Sequence, residues 1–391
     1  MTLQQIIALG YKQRTENKPL PPFMWKAAGR ISVCRTSTLG GHIQACPEGH
    51  VEKHWYNSCR HRSCPVCNYT ATERWLDSQK ARILNCEHFH IVFTLDSALD
   101  RLWLGNVRAM TSILFQAARD TLFELLGDDK YLGAEPGVIM ARHTWGQMLG
   151  LHPHVHCLVS GGGLTSGGEW RSVANGYLLP VRVVRALFRG KLLDSIRRGV
   201  EREELTTPDG ERPQQVLNLL NKLGRKKWNV CIRERYAHGN GVLTYLGRYM
   251  RGGAISNRRI ISSDEEQVRF RYKDYREESA SGGKSSKTME LSVNDFVRRV
   301  LLHVPEPGHK VVRSYGLYAG SRREALDICR GLLGQQPIQK PKVRTWQECV
   351  AGFGETNPSL CPVCGAKLVQ QEVFRPDFRG ETRKFPMKVA A

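Results

Sequence analysis

The sequence predicts an α+β fold with a largely antiparallel sheet. Apolar side chains alternate with polar ones along residues 88–95, which is the two-residue period of a strand with one buried face. Along residues 107–126 apolar side chains recur instead at helical spacings. Because strand-like and helix-like segments interleave in mixed order, the strands are expected to pair mainly with antiparallel neighbours.

The predicted elements follow one another without an internal repeat. Helices are expected at 3–9, 24–33, 107–126, 181–198, 214–223 and 242–250, and strands at 88–95, 138–144, 154–160, 230–233, 258–261 and 268–272. Gly161, Gly162 and Gly163 are expected to end one strand in a turn. Residues 277–287 are polar and predict a flexible loop. Ser292 suits the N-cap of a helix that runs to about residue 303.

The length of 391 residues favours two or three domains. The sequence divides into an N-terminal cysteine-rich domain (1–75), a central α+β domain (76–330) and a basic C-terminal tail (331–391). No stretch approaches the length of an apolar membrane span, and the N-terminus lacks the basic and apolar regions of a secretion signal. These features predict a cytoplasmic protein without membrane contact.

The charge balance is strongly basic. Lys and Arg number 58 against 37 Asp and Glu, which gives a net charge of +21. An excess of this size attracts polyanions, of which nucleic acid is the commonest. The alternatives are a solvated basic surface and contact with an anionic membrane.

Five of the twelve cysteines lie between residues 34 and 67, which favours metal binding over disulfides in a cytosolic chain. Cys64 and Cys67 have the C-x-x-C spacing that directs two thiolates at one tetrahedral zinc ion. Cys46 with His50 has the spacing of a second half-site, and Cys59 is a competing ligand. The candidate ligands of a structural zinc are therefore Cys46, His50, Cys59, Cys64 and Cys67.

Other cysteines have less obvious partners. Cys34 and His42 could belong to a second ion. Cys361 and Cys364 form another half-site, for which the sequence offers no clear partner pair. Packing of reduced cysteines as small apolar side chains is the alternative to metal binding.

Arginines and aromatic residues flank the first C-x-x-C pair. Arg60 and Arg62 are adjacent to it in the sequence, and Trp55 and Tyr56 precede it. Such side chains suit phosphate contact and base stacking. The alternative is an ordinary solvated basic surface.

Histidine occupies every second position of the sequence HPHVH, residues 152–156. On a strand these three imidazoles share one face, and the opposite face is apolar. Aligned imidazoles can hold a divalent metal that keeps open positions for a substrate. His88 and His90 lie on the polar face of another predicted strand, and they would join this cluster if the two strands are neighbours.

The sequence YLGRYMR, residues 245–251, predicts a helix on which Tyr245 and Tyr249 lie one turn apart on the same side. A phenol is a good leaving group from a phosphodiester, and it can attack phosphorus with help from a metal or a base. Positive charge for DNA binding is expected from Arg248, Arg251, Arg258 and Arg259. The alternative is that both tyrosines pack the helix against the sheet.

Several motifs in order along the chain resemble those of HUH-type rolling-circle transposases with an N-terminal zinc-binding domain, the IS91-like insertion-sequence family. The motifs are CRTSTLGGH (34–42), YNSCRHRSCPVC (56–67), HFHIVFTL (88–95), HTWGQ (143–147), HPHVHCLVSGGGL (152–164), YLGRY (245–249), AISNRRI (254–260), RYKDYR (271–276) and RSYGLYA (313–319). Together the motifs cover most of the chain, and the ordered set identifies the family more specifically than any single motif does.

The resemblance implies a transposase in which His154 and His156 hold Mg²⁺ or Mn²⁺ against the scissile phosphate. Tyr245 or Tyr249, or the two alternately, would attack the phosphate and leave a 5′-phosphotyrosyl link and a free 3′-OH. The implied partners are single-stranded DNA at the termini of the element and target DNA, and the protein would be associated with the nucleoid. The implied fold is the HUH endonuclease-like antiparallel sheet with flanking helices.

The motifs leave some ligands open. For the third position at the catalytic metal, His90, His152 and Gln147 are the candidates in that order. His303 could also approach this metal, although a structural role is expected for it. At the first zinc half-site the family often has C-x-x-C, whereas this chain has Cys46 and His50.

Three other functions are compatible with the sequence. A plasmid-type rolling-circle replication initiator or relaxase would use the same nicking chemistry. A non-catalytic zinc-dependent DNA-binding protein would not need Tyr245 or Tyr249. A metallohydrolase would activate water with the histidines of residues 152–156 and would form no covalent DNA adduct. The sequence predicts no particular oligomeric state.

Overall fold

A computed structural model of the chain describes residues 1–13, 20–236, 247, 253–278, 284–351, 357–376 and 382–386. Within these residues the strands form three sheets, all with antiparallel pairing, and helices pack against them. The predicted α+β class with an antiparallel sheet and flanking helices is therefore confirmed. None of the helices that the structure describes is long and apolar enough to span a membrane.

The elements are numbered along the chain as follows. The helices are α1 (Leu3–Lys12), α2 (Pro22–Ser32), α3 (Asn68–Arg82), α4 (Asp100–Gly105), α5 (Val107–Gly127), α6 (Val181–Glu201), α7 (Pro213–Gly224), α8 (Val293–Leu301), α9 (Arg323–Leu332) and α10 (Trp346–Ala351). The strands are β1 (Gly41–Ala45), β2 (Glu52–Tyr56), β3 (His88–Thr94), β4 (Glu135–Trp145), β5 (Leu151–Leu164), β6 (Trp170–Ser172), β7 (Val230–Tyr236), β8 (Ile260–Ser263), β9 (Gln267–Glu278), β10 (Lys284–Ser292), β11 (Val312–Gly316), β12 (Val369–Pro376) and β13 (Thr382–Pro386).

The largest sheet has the strand order β11-β4-β5-β3-β7, and β6 pairs with the last residues of β5. One face carries Val155, Cys157 and Val159 of β5 and packs in one core with α5, α6 and α7. The other face carries Leu158 and packs against α3 and α9. Because side chains alternate along a strand, His154 and His156 lie on the second face with Leu158.

The N-terminal segment packs against elements from the far end of the chain. Its sheet has the order β13-β12-β1-β2, so β1 lies between β2 and a C-terminal strand. Helices α1 and α2 share a core with α8, and a Cβ at Gly10 would lie 2.7 Å from a methyl carbon of Val297. Packing therefore crosses the boundaries predicted at residues 75 and 330, and that division stays a prediction.

Most of the predicted helices and strands are confirmed within the described residues. The clearest case is α8, where the Ser292 hydroxyl accepts a hydrogen bond from the Asp295 amide at 3.2 Å and so caps the helix as predicted. That helix ends at Leu301, about two residues before the predicted end. The helix predicted at 242–250 falls outside the described residues except for Gly247.

One prediction of irregular structure was wrong, and another was wrong in part. Strand β5 continues through Gly161, Gly162 and Gly163 to Leu164, because β6 pairs alongside it. A Cβ at Gly162 would lie 2.4 Å from the Trp170 ring. Glycine is therefore required here because the Trp170 ring approaches the backbone closely, and not because the chain turns.

The loop predicted at 277–287 was wrong at both ends, which are strand, and residues 279–283 lie outside the described residues. Strand β9 extends to residue 278, and β10 starts at residue 284 and pairs with it. Polar residues are compatible with these strands because a three-stranded antiparallel sheet can expose one face to water.

Candidate active site and metal centres

Three adjacent strands bring four histidines together. In the pairing of β4 with β5, His143 lies opposite His154. In the pairing of β3 with β5, His90 lies opposite Leu158, which is two residues from His156 on the same face. Residues at opposite and diagonal positions of neighbouring strands are within side-chain reach. The prediction that the strands of His90 and His156 are neighbours is confirmed.

The ring nitrogens of these histidines lie within hydrogen-bond distance of one another. The Nε2 atoms of His154 and His156 are 3.0 Å apart, and Nδ1 of His156 is 2.9 Å from Nε2 of His90. The ring of His143 lies 4.5 Å from the ring of His156, measured between centroids. One ligand atom from each of His143, His154 and His156 lies within 4.8 Å of the others, so these three could hold a metal ion.

The hydrogen bonds indicate which nitrogens carry lone pairs. Nδ1–H of His154 donates to the backbone carbonyl of His152 at 2.6 Å, so Nε2 of a neutral His154 is unprotonated. The hydrogen bond between Nδ1 of His156 and Nε2 of His90 can run in either direction, so Nε2 of His156 either donates to Nε2 of His154 or presents a second lone pair to it. In the His156 tautomer that carries its proton on Nδ1, the two Nε2 atoms present lone pairs to each other at 3.0 Å, and a cation between them would balance both. This donor set fits a metal site whose ligands are oriented by hydrogen bonds behind them.

The structure differs from the sequence prediction at the third ligand. His143 occupies that place, whereas His90 lies behind His156 as its hydrogen-bond partner. His152 has an exposed side chain, and its backbone carbonyl contacts His154. Gln147 accepts a hydrogen bond from a backbone amide of β9 at 3.3 Å. The assignment of metal ligands stays a prediction, now with His143 in place of these three.

The signal that identifies His143 was present in the sequence. His143 follows Ile139 and Ala141 at steps of two residues, and these two side chains pack with Leu158 on the face that carries the histidines. Its ring stacks on Trp145 with centroids 4.4 Å apart, which fixes its orientation. His88, by contrast, lies away from the group, with Nε2 2.7 Å from the Tyr318 hydroxyl.

His303 has a structural position, as expected. Its Nδ1 accepts a hydrogen bond from the Thr144 hydroxyl at 3.1 Å, and its Nε2–H donates to the Leu149 carbonyl at 3.1 Å. These contacts connect the end of β4 to the turn before β5, so His303 supports the hairpin that carries His143 and His154.

A second metal group consists of four cysteines in the N-terminal segment. The Sγ atoms of Cys34, Cys59, Cys64 and Cys67 all lie within 4.8 Å of one another, and those of Cys59 and Cys67 are 3.6 Å apart. Burial raises the pKa of the Cys59 thiol to about 12, so a thiolate here needs a bound cation to balance it. The composition is that of a closed structural zinc site.

The structure divides the ligands predicted for this zinc between two groups. Cys59, Cys64 and Cys67 lie in the four-cysteine group, whereas Cys46 and His50 do not. Cys34, two residues after the end of α2, completes the group instead. Cys34 and His42 do not come together, since His42 is in none of the groups found among the described residues. The assignment of zinc ligands stays a prediction.

Cys46 and His50 lie in a third group, together with Cys361 and Cys364. The C-terminal half-site thus has a partner pair, which comes from the other end of the chain. Sequence spacing identified both halves, but the contact between them follows from the pairing of β1 with β12.

A cleft of about 1120 Å³ lies between the histidine group and the N-terminal segment. His143 and Trp145 line one side, and Arg62, Cys64 and Tyr69 line another. Gly247, which lies between Tyr245 and Tyr249 in the sequence, also lines this cleft. The two tyrosines themselves, together with Arg248 and Arg251, fall outside the described residues.

The predicted DNA-binding arginines differ in their surroundings. Arg60 and Arg258 are exposed, and Arg258 lines the cleft. Arg62 also lines it and donates a hydrogen bond to the His309 carbonyl at 2.8 Å. Arg259 instead donates to backbone carbonyls, including that of Arg271 at 2.8 Å, so it connects β9 to its neighbours. A DNA-binding role for these arginines stays a prediction.

Histidines grouped on a sheet face beside a basic cleft define a candidate metal-dependent protein that handles a polyanion. Two family models match the chain, "Transposase zinc-binding domain" over residues 6–95 and "Putative transposase" over residues 137–325. The first match and the four-cysteine group agree with the predicted structural zinc and place the zinc-binding domain at the N-terminus.

Two curated relatives extend the match to nearly the whole chain. A protein of Sinorhizobium fredii (strain NBRC 101917 / NGR234), "Putative transposase y4qJ", is 35% identical over 375 residues and is covered to 93%, as is this chain. The transposase for insertion sequence element IS801 of Pseudomonas savastanoi pv. phaseolicola is 30% identical over 350 residues, with 87% of this chain and 81% of the relative covered. The chain belongs to the IS91-like family of transposases.

Among solved structures, the N-terminal origin-recognition/nickase domain of the non-structural protein 1 of a human bocavirus is similar over 56% of this chain and 97% of that domain. The identity is 13% and the TM-score is 0.28.

Proposed function

We propose that this transposase nicks and rejoins single-stranded DNA at the ends of its element, and target DNA, through a tyrosine nucleophile in a rolling-circle route. The observation that carries the proposal is that one cleft is lined both by His143 of the histidine group and by Gly247 between the two candidate tyrosines. A metal site and a nucleophile are the two parts that this chemistry requires, and each candidate tyrosine is two residues from Gly247 in the sequence.

His143, His154 and His156 would hold the catalytic metal, because one ring nitrogen of each lies within 4.8 Å of those of the other two. A bound Mn²⁺ or Mg²⁺ would supply Lewis-acid polarisation of a phosphate oxygen. Since imidazole nitrogen is a softer ligand than the oxygens that Mg²⁺ prefers, we expect Mn²⁺ to be held more tightly of the two.

The cleft has the side chains that single-stranded DNA needs. Arg62, Arg258 and Lys310 supply positive charge along its walls, and Tyr69 and Trp145 supply aromatic rings. Basic grooves with aromatic rings bind single strands by phosphate contact and base stacking, with little dependence on sequence. The net charge of +21 favours the same substrate.

In the proposed reaction the phenol oxygen of Tyr245 or Tyr249 attacks phosphorus and loses its proton. The bond from phosphorus to the 3′ oxygen breaks, and that oxygen takes up a proton, which leaves a 5′-phosphotyrosyl link and a free 3′-OH. Attack by a 3′-OH on this link reverses the step and restores the phenol. Bond energy is conserved in the link, so rejoining needs no further cofactor.

The test uses purified full-length protein and labelled single-stranded oligonucleotides from the flanks of its own reading frame, with and without Mn²⁺. We expect a DNA–protein adduct that survives boiling in detergent, depends on the metal and is absent in Tyr245→Phe/Tyr249→Phe. Tyr177→Phe is the matched control, because Tyr177 is 62% exposed and does not line the cleft. The single variants identify which tyrosine acts.

Histidine variants test the metal site in the same assay. His154→Ala should abolish the adduct at all Mn²⁺ concentrations, whereas His152→Ala should retain it, because the side chain of His152 is exposed and outside the group. Cleavage without an adduct would instead support a metallohydrolase that activates water. Binding without cleavage of complete end sequences would support a DNA-binding protein, and nicking confined to a replication or transfer origin would support an initiator or relaxase.

A further inference from the structure

We propose that a second zinc ion is bound by Cys46, His50, Cys361 and Cys364 and joins the two ends of the chain. The four ligand atoms lie within 4.8 Å of one another. Sγ of Cys46 is 3.5 Å from Sγ of Cys364 and 3.6 Å from Nδ1 of His50. Sulfur ligands about 2.3 Å from a central tetrahedral ion are about 3.8 Å apart, which is close to this spacing.

Each half of the site is a tight turn that begins at a cysteine and contains a glycine. The Cys46 carbonyl accepts a hydrogen bond from the Gly49 amide at 3.0 Å, and the Cys361 carbonyl accepts one from the Gly365 amide at 2.9 Å. Both glycines have positive φ, +73° and +74°, so each turn bends its ligands towards one point. The sequence CPVC at 361–364 also repeats CPVC at 64–67, which supplies two ligands of the four-cysteine group.

The thiols do not form a disulfide. A disulfide has its sulfurs about 2.05 Å apart, whereas Cys46 and Cys364 are 3.5 Å apart and both are free. Two further ligands, one of them an imidazole, complete the group, and a set of three cysteines and one histidine is a common structural zinc site.

The surrounding apolar core is too small to hold these segments together. It consists of Cys46, Cys361 and Leu368, with Val51 and Ala366 packed against them at partial burial. Small loop-rich modules with so little core are usually stabilised by a metal. We therefore assign the zinc as the link between the turn at 46–50 and the turn at 361–365, next to the pairing of β1 with β12.

This site changes how the N-terminal domain is completed. Cys361 and Cys364 lie outside both regions that match the family models. The zinc-binding domain at 6–95 would therefore supply only half the ligands of the second ion, and β12, next to β1, would be fixed by the other half. The C-terminal segment would be a component of that domain rather than a tail.

The experiment measures zinc per chain by mass spectrometry of the dialysed full-length protein. We expect Cys364→Ser to contain one zinc fewer than the wild type. Cys231→Ser is the matched control, since both cysteines are exposed and Cys231 lies in none of the metal groups. Equal zinc content in Cys364→Ser and the wild type would overturn the proposal.

Variants that preserve a zinc ligand at the same position distinguish loss of a ligand from misfolding of the protein. Cys364→His and His50→Cys each keep four zinc ligands, so both should retain the full zinc content, whereas His50→Ala should lose one ion. Limited proteolysis supplies a second measurement, because Lys367, which Leu368 follows, offers a trypsin site in the linked segment. We expect trypsin to cleave this segment at least several-fold faster in Cys364→Ser than in Cys231→Ser. Equal cleavage rates would contradict the proposed zinc link between the two ends of the chain.

Discussion

Acidification should weaken the hairpin of β4 and β5, which carries all three histidines of the candidate active site, through protonation of His303. This residue is buried, and as a neutral ring it accepts a hydrogen bond from the Thr144 hydroxyl and donates one to the Leu149 carbonyl. Protonation would place a charge in this buried position and remove the acceptor at Nδ1. The folded state therefore favours the neutral ring.

The magnitude follows from the pKa. Burial lowers the pKa of His303 from 6.5 to about 4, with a further lowering by Arg142 and an opposing effect of the hydrogen bond to Leu149. Between these two pH values the unfolded chain binds a proton that the folded chain does not, so stability is full above pH 6.5 and falls as the pH falls towards 4. The full difference is about 3.4 kcal/mol, of which about 2 kcal/mol is lost by pH 5.

The assay is urea unfolding at pH 7.5 and pH 5.0 for the wild type and for His303→Gln. Other titrating groups, including the metal ligands, change equally in both proteins, so the difference between their losses isolates His303. We expect the wild type to lose about 2 kcal/mol more than the variant. His54→Gln, at an exposed position, should behave as the wild type. Equal losses in the wild type and His303→Gln would refute the reasoning.

Three further predictions concern stability. Leu149→Gly removes the strain of a left-handed backbone at φ +60°, which is about 1–2 kcal/mol. It also removes a fully buried side chain that contributes about 2–5 kcal/mol. Urea unfolding should therefore show a net loss of stability, and a gain in stability would contradict this balance. Gly162→Ala should cost about 1–3 kcal/mol in thermal unfolding, because the new Cβ would lie 2.4 Å from the Trp170 ring, while Gly167→Ala, with room around it, should be nearly neutral. Cys64→Ser should lose the zinc of the four-cysteine group and lower the melting temperature, measured by metal content and calorimetry, and an unchanged zinc content would assign the ion elsewhere.

Strand periodicity predicted much of the candidate active site. Alternation alone placed His154 and His156 on one face of a strand, and the structure has them there. The same rule applies to His143, which follows Ile139 and Ala141 at steps of two on β4. What the sequence could not supply was the register between β4 and β5, since opposite positions depend on the length and geometry of the turn that joins them.

Spacing predicted half-sites for zinc but not their combinations. Cys64 with Cys67 and Cys46 with His50 each have a spacing that suits one ion, and nothing local decides whether the two pairs share it. That choice is made by long-range packing, which brings Cys34 to the first pair and the C-terminal Cys361 and Cys364 to the second. The role of Gly162 also depends on long-range packing. A neighbouring strand requires glycine at this position, whereas the sequence alone suggested a turn.

The zinc-binding domain and the sheet that carries the histidine group line the same cleft. Cys64 and Pro65 line the same cleft as His143, and the Arg62 side chain reaches across to the His309 carbonyl. Because Cys64 belongs to the four-cysteine group, the position of that wall depends on the ligands of a metal. A domain that bound DNA independently would need no such contact with the sheet. The zinc therefore helps to shape the cleft in which the proposed chemistry takes place, as well as holding a small domain folded.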